Sequence, residues 1–511
     1  MKILLISLQS DLDTIGIKYL HYYLLRHKHL SSLLYVRNFD PQNSTLLKEI
    51  RKFVSTTNPD LIGVSLMSTE YDAACELTQY LKHVAVLTPV VWGGIHPSIQ
   101  PQECLAYADY VCVGEGEKAL LEMANALSTN KDVSGIHNLC YVRHGKVTQN
   151  PLYPLIVDLN VLPSYDHIPV HSFVQEGGRI LPLDEARFRK YARFAGKIYS
   201  AIATRGCPFH CSFCCNNVIS RLYGNNKVRR RSVSHLTEEL TNAVKNNPRV
   251  EYINFHDDCF LCCSDEYLGE FCTVYKEKVG KPFIIRTLPA YVSAERMAFL
   301  KDAGLSWISL GLQSGSDRVC KEIYQRNSLQ ADFLRAAKII KNSGIAAFYD
   351  VILDNPFEKE EDALETIKTL GLTPRPFFTQ FLSLTLYPGT ALYEKAQKEF
   401  PGYLPEYCHK NYLKPRKTVI NNLIILSTLI SPKYMSLLLR VYKQNPQSIV
   451  FRILLFASNA VSILILIPHT CVRQVLLSQK GSIWGTIKTF WSYALFYLKT
   501  RLRSVLLVSA R

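Results

Sequence analysis

The chain has 511 residues, fifteen cysteines and a formal net charge of +16, with 48% hydrophobic and 20% charged residues. That length suits two or three domains, and cysteines spread over so long a chain exclude a short disulfide-stapled scaffold. The start, MKILLISLQSDLD, breaks off its apolar run in polar and acidic residues and has no small-residue cleavage site, so a cytoplasmic protein with reduced thiols is expected. Residues 407–511 hold fifteen Lys or Arg and no Asp or Glu, leaving 44 basic against 43 acidic residues before them. A near-neutral body therefore carries a cationic tail.

Short apolar runs alternate with helical stretches through residues 1–127: KILLIS, LLYV, LIGVSL, PVVWGG and YVCVGEG. This alternation predicts a parallel sheet with helices on both faces, over a domain taken as 1–135. Ligands of such sheets bind at the carboxyl ends of the strands. Ser65, the loop GGIHP (Gly93, Gly94, His96) and the loop GEGE (Gly114, Glu115, Gly116) fall there. Glycines let backbone approach a ligand closely. Glu115 and Glu117 also suit the positive end of a helix.

Residues 136–195 read as a connector packed between domains, opening with a hairpin that turns at His144-Gly145. From 196 to 398 strand and helix signals alternate six times: IYSAIAT, YINFHD, FIIRTL, WISLGLQ, AFYDVIL and FLSLTLY. Ser293 is a helix cap, with Glu295 in the first turn. Six β/α units predict an incomplete barrel. Residues 399–511 remain as a basic, apolar, mostly helical region.

Cys207, Cys211 and Cys214 follow the first of the six strands with the spacing C-x3-C-x2-C. Thiolates so spaced bind zinc or an iron–sulfur cluster. Structural zinc takes four ligands, and the best candidates for a second pair, Cys259, Cys262 and Cys263, sit on another loop. Three ligands on one loop suit a [4Fe–4S] cluster with one iron open. Cys215 is adjacent to Cys214 and points elsewhere.

The stretch GCPFHCSFC resembles the signature of radical S-adenosylmethionine (SAM) enzymes. RRRSVSHLTEEL, INFHDDCF, SLGLQSGSDRV and LYPGT also have counterparts there. The resemblance implies that Cys207, Cys211 and Cys214 hold the cluster, that its open iron chelates SAM, and that reductive cleavage gives a 5′-deoxyadenosyl radical. It implies that the backbone at Phe213 lies against the adenine. Where the family often has Gly-Gly-Glu, this chain has His256-Asp257-Asp258, so Asp257 or Asp258 stands in for the SAM amino-group ligand. Gln313 and Ser314 fall where the ribose is held; Ser314-Gly315-Ser316 also reads as a turn and helix cap.

IGIKYLHYYL, NPDLIGVSL, WGGIHPS and VGEGEKALLE resemble, in order and spacing, the cobalamin-binding domain of the B12-dependent radical SAM class. The resemblance covers roughly the first 400 residues. Many cobalamin domains place a ligating His in a D-x-H-x-x-G loop after the first strand. Here the loop reads Asp11-Leu12-Asp13-Thr14-Ile15-Gly16, and Asp13 replaces that histidine. A carboxylate is a poor substitute for imidazole on cobalt, so no protein imidazole is expected on its lower face. His96 is a candidate binder of the corrin or its nucleotide tail.

The fold expected is thus α/β: a Rossmann-like cobalamin-binding domain, a partial (β/α)6 radical SAM barrel (TIM-barrel-like) and a helical C-terminal tail. The reaction implied is methylation of an unactivated carbon in a hydrophobic or lipid-like substrate, with SAM, a [4Fe–4S] cluster and cobalamin as cofactors and a low-potential electron donor as partner. Ring formation or oxidation without methyl transfer is the alternative within the class; a non-catalytic cobalamin or redox sensor is the alternative outside it. Residues 418–432 and 453–472 are apolar and uncharged, and 484–507 is amphipathic, aromatic and basic. These features predict a peripheral position on an anionic membrane rather than nucleic-acid binding, whose tails are usually polar.

Overall fold

The computed structural model describes residues 1–225, 227–401 and 415–462. Contacts group the chain into two compact units, Met1–Glu251 with Leu386–Tyr412 and Tyr252–Thr385 with Leu413–Arg511.

In the first unit, strands β1 (Lys2–Ser7), β2 (Leu30–Tyr35), β3 (Leu61–Ser65), β4 (Val90–Gly93) and β5 (Tyr110–Cys112) pair in parallel, in the order β5-β4-β3-β1-β2. Successive side chains of a strand face opposite ways. Leu4 and Ile6 accordingly enter one apolar layer with Ile62, Val64 and Trp92, while Ile3 and Leu5 enter another with Leu33, Leu61 and Val91. Burial on both faces explains the unbroken apolar runs of the sequence.

The stretch read as a connector extends this sheet. β6 (Leu139–Arg143) and β7 (Lys146–Gln149) form an antiparallel hairpin beside β5, turning at His144 and Gly145 with positive φ. β8 (Ser172–Glu176) adds in parallel to β2, and β9 (Arg179–Pro182) closes that edge. Both ends of a nine-stranded sheet therefore come from a segment whose Pro-containing, mixed-charge composition masked its strands. β10 (Ile198–Ala201), the two-residue ladder of β11 (Thr204–Arg205) and β12 (Arg229–Arg230), and the helix Val233–Asn246 complete the unit. Arg231 and Glu239, both buried, pair at 3.0 Å and tie that helix to the strand before it.

The second unit carries β13 (Tyr252–Phe255), β14 (Phe283–Thr287), β15 (Leu305–Gln313), β16 (Ala346–Leu353) and β17 (Phe378–Ser383), parallel and side by side in chain order. Helices intervene, one of them capped by Ser293, whose side chain accepts from the Arg296 amide. One face of these strands is fully covered: Phe255, Ile285, Leu310, Tyr349 and Val351 are buried. The opposite face, carrying Asn254, Arg286, Ser309, Gly311, Phe348 and Asp350, is only partly covered.

The apolar run at 418–432 is core and does not form a membrane segment. It supplies the helix Val419–Ser427, with Leu423 and Leu426 buried, and Arg375 donates to the carbonyls of Ser427, Leu429 and Ile430. Among the described residues no helix is long and apolar enough to cross a membrane. The run 453–472 lies partly, and the segment 484–507 wholly, outside the described residues.

Candidate active site

Gly206, with φ +100°, turns the chain out of β11 against the Lys227 carbonyl, which a Cβ would meet at 3.0 Å. Cys207, Cys211 and Cys214 follow on one loop. The Cys214 amide donates to the Cys211 carbonyl at 3.1 Å, and Cys214 is the N-cap of the helix Cys215–Tyr223. Cys211 is buried, whereas Cys207 and Cys214 are half-buried, and none of the three is in a disulfide. The amides of that helix start favour negative charge beside Cys214. Cys215 is the first residue of that helix, directly after its N-cap Cys214. Among the described residues no three His, Cys, Asp or Glu close on one point as a single metal ion requires. Three thiols on one loop match the ligand set of a [4Fe–4S] cluster with one open iron.

The Cys259, Cys262 and Cys263 set does not complete a zinc site. Cys262 Sγ donates to the Cys259 carbonyl at 2.8 Å. Its contact with Cys262 and burial push the Cys259 thiol up, and Cys262 is pushed up to about 12, where the Cys259 contact is outweighed by Cys263 and burial. Cys259 and Cys263 are buried in the packing of this loop.

Two residues before Cys207 stands Arg205, which joins the cluster loop to the end of β5. Its Nη2 donates to Glu117 Oε1 at 2.6 Å and its Nη1 to Glu115 Oε1 at 3.2 Å. Arg229, across the β11–β12 ladder, donates to the same Glu115 oxygen at 2.8 Å. Glu115 Oε2 accepts from the Ile156 amide at 3.0 Å. Burial alone would raise the Glu115 carboxyl, but the two arginines outweigh it and hold it below its usual range. Arg205 is held above its own range, because the two carboxylates outweigh its burial.

This geometry reassigns several expected cofactor residues. Gly114, at φ +83°, leaves room for Tyr223: a Cβ there would lie 1.9 Å from its hydroxyl oxygen, which accepts from the Glu115 amide at 3.0 Å. Gly94, at φ +107°, lets β4 pass Leu66, whose carbonyl oxygen a Cβ would meet at 2.6 Å. Gly116 is the N-cap of Glu117–Ser128 beside Leu20. These glycines serve the chain's own packing. Glu117 does lie in that helix's first turn, as its charge suggested, while Glu115 precedes the helix and is held by arginine. His96 is 0% exposed, with Nδ1 2.9 Å from Ser68 Oγ and its ring against Tyr71, so it does not present itself to a corrin. Ser65 and Gly93 stay half-buried at the ends of β3 and β4. Asp13, in the loop after β1, receives a hydrogen bond from Ser200 of β10.

Of the expected SAM contacts, Gln313 fits best. It ends β15 with φ +66°, next to a register shift, and its Oε1 is buried with no hydrogen-bond partner among the described residues. Gly311 leaves the space for it, since a Cβ would lie 2.5 Å from Gln313 Nε2. An orphaned acceptor of this kind fits a ribose hydroxyl. Ser314 does not: it is buried, its Oγ donates to Glu358 at 3.2 Å and accepts from the Ser316 amide at 3.2 Å, which is the turn reading. Asp257 is buried and Asp258 exposed; Phe213 is half-buried beside Cys214. Arg205, Arg229, Tyr223 and Ser200 were not legible in the sequence. Arg205 adjoins the cysteine motif, but nothing local names its partners some 90 residues earlier.

Comparison with known proteins agrees with this geometry. The B12 binding domain matches residues 1–124 and the Radical SAM superfamily residues 201–370. An uncharacterised methyltransferase of Pyrococcus horikoshii is 27% identical over 354 residues, covering 68% of this chain and 72% of that protein. The anaerobic magnesium-protoporphyrin IX monomethyl ester cyclase of Rubrivivax gelatinosus is 23% identical over 365 residues, covering 68% of this chain and 60% of that protein. The solved structure of the cobalamin-dependent SAM radical enzyme OxsB, with aqua-cobalamin and SAM bound, superposes with a TM-score of 0.65 at 15% identity, covering 100% of this chain and 81% of that one. The chain belongs to the radical SAM enzymes that carry a B12-binding domain, and its cofactors are a [4Fe–4S] cluster, SAM and cobalamin.

Proposed function

We propose that the enzyme is a C-methyltransferase acting on an unactivated carbon of a hydrophobic substrate, with Cys207, Cys211 and Cys214 as the cluster ligands. When bound, the cluster and SAM supply a radical that removes hydrogen, and cobalamin supplies the methyl group. The observation that carries the reading is the Arg205–Glu115–Glu117 network. It joins the loop before the cysteines to a strand end of the cobalamin-binding domain, the arrangement that transfer between two cofactors requires. Gln313 Oε1 accepts a hydroxyl of SAM, and Asp257 or Asp258 its amino group. Ser65 and Gly93 border the corrin. A low-potential donor reduces the cluster.

The methyltransferase relative supports methyl transfer, and the cyclase relative, named for a porphyrin ester, supports a hydrophobic substrate. The same cyclase favours a second reading, ring formation without methyl transfer. The anaerobically reconstituted enzyme, given SAM with a labelled methyl group and a reductant, should form 5′-deoxyadenosine and place label in an extracted hydrophobic product. Label confined to unreacted SAM while 5′-deoxyadenosine and a cyclised product accumulate would support the second reading. We infer from the apolar and basic composition of the C-terminal region a peripheral position at an anionic membrane on the cytoplasmic face, where such substrates dissolve.

A further inference from the structure

Across β13–β17 only two residues are charged, Arg286 on β14 and Asp350 on β16. Register places them on one face, because Arg286 is opposite Ser309 of β15, and Asp350 is opposite Gly311 two residues on. Opposite charges on neighbouring parts of one face attract. These two nevertheless do not pair: among the described residues Arg286 makes no ion pair. Asp350 accepts from Ser309 Oγ at 3.2 Å, and burial pushes its carboxyl up to about 6, with Ser309, Arg286 and Arg326 opposing. Arg326 is engaged elsewhere, its Nη2 donating to the Gly311 carbonyl at 2.6 Å.

Arg286 is held by an imidazole instead. Its Nη1 donates to His256 Nδ1 at 3.2 Å, and His256 Nε2 lies 2.7 Å from the side-chain amide of Asn254 on β13. A guanidinium only donates, so Nδ1 accepts, the ring proton sits on Nε2, and the Asn254 amide turns its oxygen to it. A neutral imidazole thus steadies a permanent cation without cancelling its charge. His256 stands where radical SAM enzymes often have the first glycine of Gly-Gly-Glu, and a glycine there could not supply this anchor. The anchor leaves most of the fork open. A guanidinium has five N–H donors, and Arg286, which is exposed, makes no other hydrogen bond among the described residues.

We propose that Arg286, steadied by His256, binds a carboxylate of the substrate. A carboxylate matches the open fork with two parallel N–H···O bonds. A phosphate dianion fits less well, because Asp350 shares the face. Register separates this group from SAM: Ser309, opposite Arg286, lies four residues before Gln313, roughly 13 Å along β15. Gln313 meets the SAM hydroxyl in the reading above, so the carboxylate belongs to the substrate. The inference rests on that enzyme reading and narrows its hydrophobic substrate to an organic acid with an apolar body.

The test is equilibrium binding to the full-length cluster-loaded protein, read by probe fluorescence in about 0.3 M salt, which screens the basic C-terminal residues. The probes are 1-pyrenebutyrate and 1-pyrenebutanamide, which share size and apolar body and differ in charge. The acid should bind about tenfold more tightly, as expected for hydrogen bonds between charged groups. Arg286→Gln should bring the two probes within about twofold of each other while leaving the affinity for the amide unchanged. His256→Gly keeps the charge but removes its anchor, and should lower the preference about threefold. Retention of the cluster absorbance shows that each variant is folded. Equal affinity for the two probes, or a preference that survives in Arg286→Gln, overturns the proposal. So does a tenfold loss of labelled SAM retention by Arg286→Gln in equilibrium dialysis, which would give the arginine to the SAM carboxylate. Formation of 5′-deoxyadenosine from SAM is scored separately, so an active enzyme without the acid preference removes the carboxylate assignment and leaves the enzyme reading standing.

Discussion

Arg205 Nη2 lies 2.6 Å from Glu117 Oε1, and the two side chains are 17% and 4% exposed. The pair links the residue two places before the first cluster-loop cysteine to the first turn of the helix after β5. Two further contacts, from Arg205 and Arg229 to Glu115, make it a four-charge network. In a site this dry an arginine–carboxylate pair is geometrically demanding, and removing one partner leaves an uncompensated charge.

Arg205→Met should therefore destabilise the protein by about 3–5 kcal/mol. Arg205→Lys should fold, because the charge stays, but lose the two-pronged geometry. In that variant 5′-deoxyadenosine formation should persist while methyl transfer falls at least tenfold, raising the ratio of the two products. An unchanged ratio in a folded Arg205→Lys protein would mean that the network is structural only.

Cys207→Ala, Cys211→Ala and Cys214→Ala should each lose the [4Fe–4S] absorbance and Mössbauer signal after anaerobic reconstitution. Cys215→Ala should keep both, since Cys215 begins the helix for which Cys214 is the cap. A cluster that depends on Cys215 and not on Cys214 contradicts the assignment.

The cob(II)alamin form should show no EPR superhyperfine splitting from a protein imidazole. Asp13 replaces the expected histidine and is engaged by Ser200, while His96 is sealed in the core beside Ser68 and Tyr71. His96→Ala should cost about 1–3 kcal/mol of stability by leaving a buried cavity and an unpaired hydroxyl. Labelling the protein with 15N-histidine should leave the EPR spectrum unchanged; a label-dependent splitting that disappears in His96→Ala would reverse this reading.

Glu358 gives a pH signature. Burial pushes its carboxyl up to about 7, with Ser314 and Arg318 opposing and Asp362 and Asp354 adding to the rise. Its folded value lies above the unfolded one, so the folded state favours the proton. The associated stability is complete below about pH 4.3 and is lost as pH rises through 7. Glu358→Gln removes that loss. Relative to wild type, its Tm should rise by about 2–4 °C between pH 5.5 and 8.5, on the order of 1 kcal/mol after allowance for solvent screening. An equal Tm difference at both pH values refutes the titration.

The helix Ile449–Val461 exposes Ile449, Ile453 and Phe456, with Arg452 beside them and no acidic residue nearby in the chain. The full-length protein should bind vesicles containing phosphatidylglycerol, and added salt should weaken binding. Replacing Ile453 and Phe456 by Ser together should weaken it about tenfold or more through lost apolar burial. No binding by the wild-type chain to such vesicles removes the membrane reading.

Local pattern carried much of this protein. Strands buried on both faces must be largely apolar, so β1, β3, β4 and β5 stand out as apolar runs, and Ser293 marks its helix because a cap acts on its own amides. The cysteine spacing likewise belongs to one loop, so it is readable where it stands. Long-range partners are not encoded in this way. Glycines at 94 and 114 have the pattern of ligand cradles, but Leu66 and Tyr223 occupy the space beside them. Arg205 and Glu117 lie 88 residues apart, and no local signal joins them. The strands of 136–195 form because exposed sheet edges offer unpaired backbone groups, which weakly patterned sequence can satisfy. Helix Val419–Ser427 has the hydropathy of a membrane segment, yet Arg375 and the surrounding apolar side chains make it core. Hydropathy records that a segment avoids water; which surface covers it depends on where the rest of the chain comes to lie.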